Sequence, residues 1–154
     1  MTRLFEQYQR HVEFLGEDTI KGVHHRGAFD SQVLHLAAFR GSTTDVEAFI
    51  ALGADINAIG DLGLTPLHYA VLGGHADTVA LLMEHGAQQD MPNEFGETPL
   101  QMAQLMGQRE SAAAFGNVGA FLPPGTDALG TARQRWIDFR LIQQENFEAC
   151  RFDE

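Results

Sequence analysis

The chain has one cysteine and one tryptophan in 154 residues, and its ten basic side chains include a single lysine. A lone Cys150 can form neither an intramolecular disulfide nor a thiolate zinc cage, which points to a reducing, cytoplasmic setting. No apolar run approaches the roughly 18 to 20 residues needed to cross a bilayer. The opening stretch MTRLFEQYQR also lacks the basic and then apolar layout of a secretory signal. Basic groups are outnumbered by twenty-one Asp+Glu, a formal charge of −11. Phosphate backbones and anionic membranes are therefore repelled, and neither nucleic acid nor a membrane is the expected partner. The preference for arginine over lysine is common in GC-rich genomes and suggests a bacterial source. What remains is the make-up of a folded protein, 44% hydrophobic and 20% charged, with room for one domain and its tails.

Shifting the sequence against itself by 33 residues aligns four columns: Leu34, Leu67 and Leu100; Ala37, Ala70 and Ala103; Gly41, Gly74 and Gly107; Gly53, Gly86 and Gly119. A fixed period of this length marks a stack of small helical units. In the second unit, Thr65 offers a side-chain oxygen to free backbone N–H groups, and Pro66 takes the first helical position, where its missing donor costs nothing. Gly73-Gly74 stops that helix. A second helix follows from His75, with Val79, Leu82 and Met83 on one face, and ends at Gly86. Leu67, Ala70, Val79 and Leu82 are the expected core. The polar link AQQDMPNEFGE projects as a loop or hairpin, so one side of the array becomes a row of fingers.

These residues, above all GLTPLHYAVLGGH and LGADIN, resemble the ankyrin repeat over residues 28–123. The resemblance implies an all-α solenoid of stacked antiparallel helix pairs with β-hairpin or loop fingers. Units fall at 28–59, 60–92 and 93–123, after an N-terminal capping helix and linker (1–27) and before a C-terminal capping helix and tail (124–154). The first unit departs from the pattern with Gln32-Val33 for Thr-Pro and Asp30 for the hairpin Gly, and the third has Gln101 for the motif His. By the resemblance, His35 and His68 bond backbone in the adjoining finger. Leu4, Tyr8, Val12 and Leu15 form the apolar stripe of an N-terminal helix ending at Gly16. Beyond LPPG (122–125), a helix starting at Thr131 carries Trp136, Phe139 and Ile142 at three-residue steps. These segments either only cap the ends of the stack or also bind.

Residues 31–115 hold two basic and ten acidic groups, so the repeats alone carry −8, a field that attracts a basic partner. His24-His25, with Glu17 and Asp18, is the one candidate for a metal-dependent enzyme, but no ligand spacing of the H-E-x-x-H kind accompanies it. There is no nucleophile elbow, phosphate loop or dinucleotide fingerprint, so neither enzyme activity nor a cofactor is expected. In proteins of the resembled family, finger tips and inner-helix ends line the concave binding face. Here those columns are Phe29, Leu62 and Phe95 with Leu64, and Phe39, Leu72 and Leu105 with Met106, edged by Asp61, Glu94 and Glu97. An apolar patch rimmed by acids is the expected docking surface for another protein with a basic and apolar face. The alternative is that these rungs pack on one another or lie under the terminal segments. A protein-binding module is thus the leading reading, an inhibitor or immunity protein its narrower form by analogy, and a monomer the expected state, with a homodimer as the alternative.

Overall fold

The computed structural model describes residues 2–9, 20–27, 30–116 and 127–149. Among them are eight α-helices and no strand: α1 (Thr2–Gln9), α2 (Val33–Arg40), α3 (Thr43–Ala51), α4 (Pro66–Gly73), α5 (Ala76–Glu84), α6 (Pro99–Leu105), α7 (Arg109–Ala114) and α8 (Asp127–Ala149). Helices α2 to α7 form three pairs. The inner helices α2, α4 and α6 pack side by side, and the outer helices α3, α5 and α7 form a second layer. The side chains of Leu34, Ala37, Leu67, Ala70, Val79, Leu82 and Ala103 are fully buried between them.

Each inner helix starts from a side-chain cap. In α4 the Thr65 hydroxyl accepts the His68 N–H, while His68 Nδ1 accepts the Thr65 N–H at 3.1 Å, which satisfies two of the free donors at the helix start. In α6, Thr98 caps the Gln101 N–H and Gln101 Oε1 accepts the Thr98 N–H at 2.8 Å. Glutamine therefore keeps this half of the absent histidine's work. In α2, His35 Nδ1 accepts the Gln32 N–H at 2.9 Å, despite the lost Thr-Pro. Gly41, Gly74 and Gly107 follow the inner helices at φ 74°, 78° and 69°, where an L side chain costs about 1 to 2 kcal/mol. Gly73 has a different reason: a Cβ there would run into the Phe39 carbonyl of the preceding unit.

Because Nδ1 accepts, the proton of each histidine sits on Nε2. From there His35 donates to the Ala58 carbonyl at 2.8 Å and His68 to the Glu97 carbonyl at 3.1 Å, each in the link that follows its own helix pair. Burial disfavours the imidazolium and holds both groups down to about pKa 4.

The fingers are loops rather than β-hairpins among the described residues. The second closes through a 3₁₀ turn at Asp61–Gly63 and one backbone bond, Gly60 N–H to the Leu64 carbonyl at 2.9 Å. Two consecutive left-handed residues, Leu62 and Gly63, leave no length for a ladder. The second finger is joined to the third by the Glu94 N–H, which donates to the Leu62 carbonyl at 3.0 Å, and by the Gln88 N–H, which donates to Asn57 Oδ1 at 2.8 Å.

At the N-terminal end, α1 is held by the buried Tyr8, whose hydroxyl donates to Asp45 at 2.6 Å. The Phe5 and Tyr8 rings each lie 5.4 Å from Phe49. Val12, Leu15 and Gly16 lie outside the described residues.

Two outcomes follow from this packing. Truncating Leu67 to Ala should cost about 2 to 5 kcal/mol and lower the thermal midpoint by many degrees; an unchanged calorimetric transition would contradict its burial. The histidines set a pH limit. Their folded pKa lies below the free value of about 6.5, so their stabilisation is complete above that value and lost as pH falls toward 4. Each should cost of order 3 kcal/mol by the low end, and His68→Gln should flatten a denaturant-measured stability profile between pH 6.5 and 4.

Candidate protein-binding surface

The apolar columns of the inner helices do not form an open trough. Leu64 and Leu72 are fully buried and Phe39 is 4% exposed, while Leu62, Leu105 and Met106 are partly buried against the core. Phe29 lies outside the described residues. Of the expected apolar anchors that the structure describes, Phe95 alone is largely exposed, at 46%. The reason is α8. Instead of stacking on the last repeat as a cap, this helix runs across the inner helices from the third unit to the first.

Its seat can be followed rung by rung. At the third unit, Trp136 is fully buried, and its indole N–H donates to Glu97 Oε2 at 2.5 Å. Its ring meets Phe95 edge-on at 5.6 Å, and Arg135 covers Phe95 with its guanidinium 3.7 Å from the ring centre while pairing with Glu97 at 3.4 Å. At the second unit, Phe139 meets Tyr69 edge-on at 6.5 Å. At the first, Phe147 stacks on Phe39 with centroids 5.7 Å apart and planes 9° from parallel. Two arginines track the glycine turns: side chains built on Gly107 and Gly74 would meet the guanidinium groups of Arg133 and Arg140 at 3.7 and 3.6 Å.

The contacts of Arg133 and Arg140 therefore step by seven residues in α8 for thirty-three in the stack. Seven helical residues rise about 10.5 Å, close to the roughly 8 to 10 Å between packed helices. The stripe Arg133, Trp136, Arg140, Gln143 and Phe147 is a heptad seam. Ile142, expected beside Trp136 and Phe139, is instead 53% exposed. Steps of three fall behind a turn of 3.6 residues, so the third member of such a series rotates out of the seam.

The seat has flaws. Gln143 is buried, yet its side-chain oxygen has no partner, a defect of about 1 to 3 kcal/mol. Leu141 and Ile142 are exposed beyond half their area. Glu145 and Glu148 sit near the helix C-terminus with no base in the last turn, against the macrodipole.

The acids lie elsewhere, along the finger edge. Glu94 and Asp30 are exposed and Asp61 is half-exposed. The Asp61 carboxyl is raised above its ordinary pKa, first by partial burial and then by the charges of Glu94 and Asp30 on the flanking fingers. Asp30 pairs with Arg26 at 3.1 Å. Ile59, 51% exposed, and Phe95 flank this acidic row.

His24 is exposed and His25 half-buried, and they line an open cavity of about 590 Å³ with Phe5, Ile20, Val23 and Leu52. Glu17 and Asp18 lie outside the described residues, as does Cys150. Among the described residues no three His, Cys, Asp or Glu side chains gather as a metal site, and no helix is long and apolar enough to cross a membrane.

The sequence profile of ankyrin repeats, three copies, matches residues 34–120, more than half of the chain. The chain belongs to the ankyrin repeat family, whose repeats are general protein–protein interaction modules. No curated protein matches it.

Burial makes Leu72 part of the core rather than an open docking rung. Leu72→Asp places an unpaired charge in a fully buried site, which costs several kcal/mol, and it should abolish cooperative thermal unfolding. A wild-type melt would show that this column is free of the core.

Proposed function

We propose that this stack is a non-enzymatic binding module that engages a protein with a basic surface along its finger edge, through Asp30, Asp61 and Glu94 with Phe95 and Ile59 beside them. The observation that carries this reading is the row of acids on successive fingers, with Asp30 and Glu94 exposed and Asp61 half-exposed. Asp61 is held above its ordinary pKa partly by like charges on both neighbouring fingers, an arrangement that costs the free protein stability and is relieved when cations dock. The tip of the second finger adds strain of its own: Leu62 adopts φ 55°, a backbone region unfavourable to a branched apolar side chain. The exposed Phe95 and Ile59 supply apolar area within a charged rim, as a protein interface requires. Residues in the repeats carry −8, so the association rate should fall steeply with salt.

Asp61→Asn separates binding from stability. Its folded pKa is raised, so the ionised carboxyl penalises the fold at neutral pH, and the penalty fades as pH falls through the carboxylate range. The variant should melt higher than wild type at pH 7 and converge with it in acid. In a pull-down from native lysate, Asp61→Asn with Glu94→Gln should retain less of a salt-sensitive partner than wild type does. Equal retention by the two chains would contradict the finger-edge reading.

A further inference from the structure

The cations of this acidic chain are not spread evenly. Residues 19–29, TIKGVHHRGAF, contain no acid, yet they hold the single lysine, Lys21, together with His24, His25 and Arg26. Arg26 is committed elsewhere, since it pairs with Asp30 and donates to the Ile59 carbonyl at 2.8 Å. Lys21 is exposed, and no described side chain pairs with its ammonium.

A hydrogen-bonded turn gives this stretch its shape. The His25 N–H donates to the Gly22 carbonyl at 3.1 Å, and the Lys21 N–H reaches His25 Nδ1 at 3.4 Å. The Ile20 N–H donates to Gln9 Oε1 at 2.6 Å, which ties the turn to α1. Turn, α1 and the end of α3 together enclose the open cavity of about 590 Å³. Its apolar walls are Phe5, Ile20, Val23 and Leu52, and its polar lining is Lys21, His24 and His25, with no acid among them. The walls are set before any ligand arrives: Val23 is buried, and Phe5 packs on the Phe49 ring at 5.4 Å.

Apolar walls with a few polar groups, in a volume of roughly 300 to 1,000 Å³, are the usual form of a small-ligand site. The one formally charged lining residue here is a cation, in a chain of net charge −11. An anionic head is therefore drawn to Lys21, and an apolar tail is drawn to the walls. A dianionic phosphate head is best held by a guanidinium fork, and the guanidinium of this stretch is engaged by Asp30. A single ammonium with imidazole N–H donors beside it suits a monocarboxylate.

We propose that this cavity is a small-molecule site, separate from the finger edge, for a free straight-chain carboxylic acid of medium length. Lys21 holds the carboxylate, His24 and His25 add N–H donors to it, and the tail lies among Phe5, Val23 and Leu52. The ligand is a dissolved monomer and not part of a bilayer, because the net negative charge of the chain opposes an anionic membrane surface.

The test titrates the full ¹⁵N-labelled chain with hexanoate, octanoate and decanoate and follows amide chemical shifts. Shifts should gather at Phe5, at residues 20–25 and at Leu52, and saturate with decanoate at a dissociation constant on the order of 1 mM or below. Each added methylene should tighten binding about two- to fourfold. Octanol and octyltrimethylammonium, which keep the tail and lose or reverse the charge, should bind more weakly than octanoate. Lys21→Glu should weaken decanoate about tenfold and Leu52→Asp by at least as much, both with unchanged circular dichroism. The length series and the head-group comparison are read on the wild-type chain, so the result does not depend on either variant folding. Phosphatidylglycerol vesicles should retain none of the chain on sedimentation. Shifts scattered over the repeats, affinity independent of tail length, equal binding of octanol and octanoate, or sedimentation with vesicles would each overturn the proposal. None of these outcomes touches the finger-edge reading, since no lining residue of the cavity belongs to that edge.

Discussion

A neutral imidazole with both ring nitrogens engaged makes three helix pairs into one stack. In the first two units Nδ1 accepts a backbone N–H at the start of the inner helix, and Nε2 donates to a carbonyl in the link that follows the helix pair. Helix initiation and unit-to-unit registry are therefore one interaction, and a unit cannot loosen its finger without disturbing its own cap. The third unit has no described repeat after it, and there the same position is Gln101, exposed, which keeps the cap. Stability in such an array is the sum of units and their interfaces, and the histidines belong to both.

With registry fixed, the inner helices present equivalent positions at a constant spacing, and this spacing makes a single long helix a matching ruler. One heptad of α8 advances by about one repeat. Trp136 meets the third unit, Phe139 the second and Phe147 the first. The consequence for function is a division of surfaces. The inner-helix face carries α8, whereas Asp30 and Glu94 of the finger edge are exposed, and the partly covered Phe95 lies between the two.

The architecture was legible because it is written in local chemistry that recurs. Thr65, Pro66, His68 and Gly74 each act within a few residues of themselves, and their spacing of thirty-three is visible without knowledge of any contact. The site was less legible. The spacing of Phe39, Leu72 and Leu105 marks an apolar ladder, but whether a ladder is open depends on what crosses it, which no local pattern states. The signal that foretells the crossing was present in the heptad spacing of Arg133, Trp136, Arg140, Gln143 and Phe147. It was obscured by the nearer three-residue series Trp136, Phe139 and Ile142, whose last member turns to solvent. Glu97 stood among the rim acids and proved instead to be the anchor of α8.

The seating of α8 is the claim on which the division of surfaces stands, and the chain carries its own reporter, since Trp136 is its only tryptophan. Intrinsic fluorescence with acrylamide quenching measures whether that indole is enclosed. The account predicts a blue-shifted emission and little quenching in the native chain, both changing cooperatively to those of free indole on unfolding. A native emission already as red-shifted and as fully quenched as in denaturant would mean that α8 does not rest on the repeats.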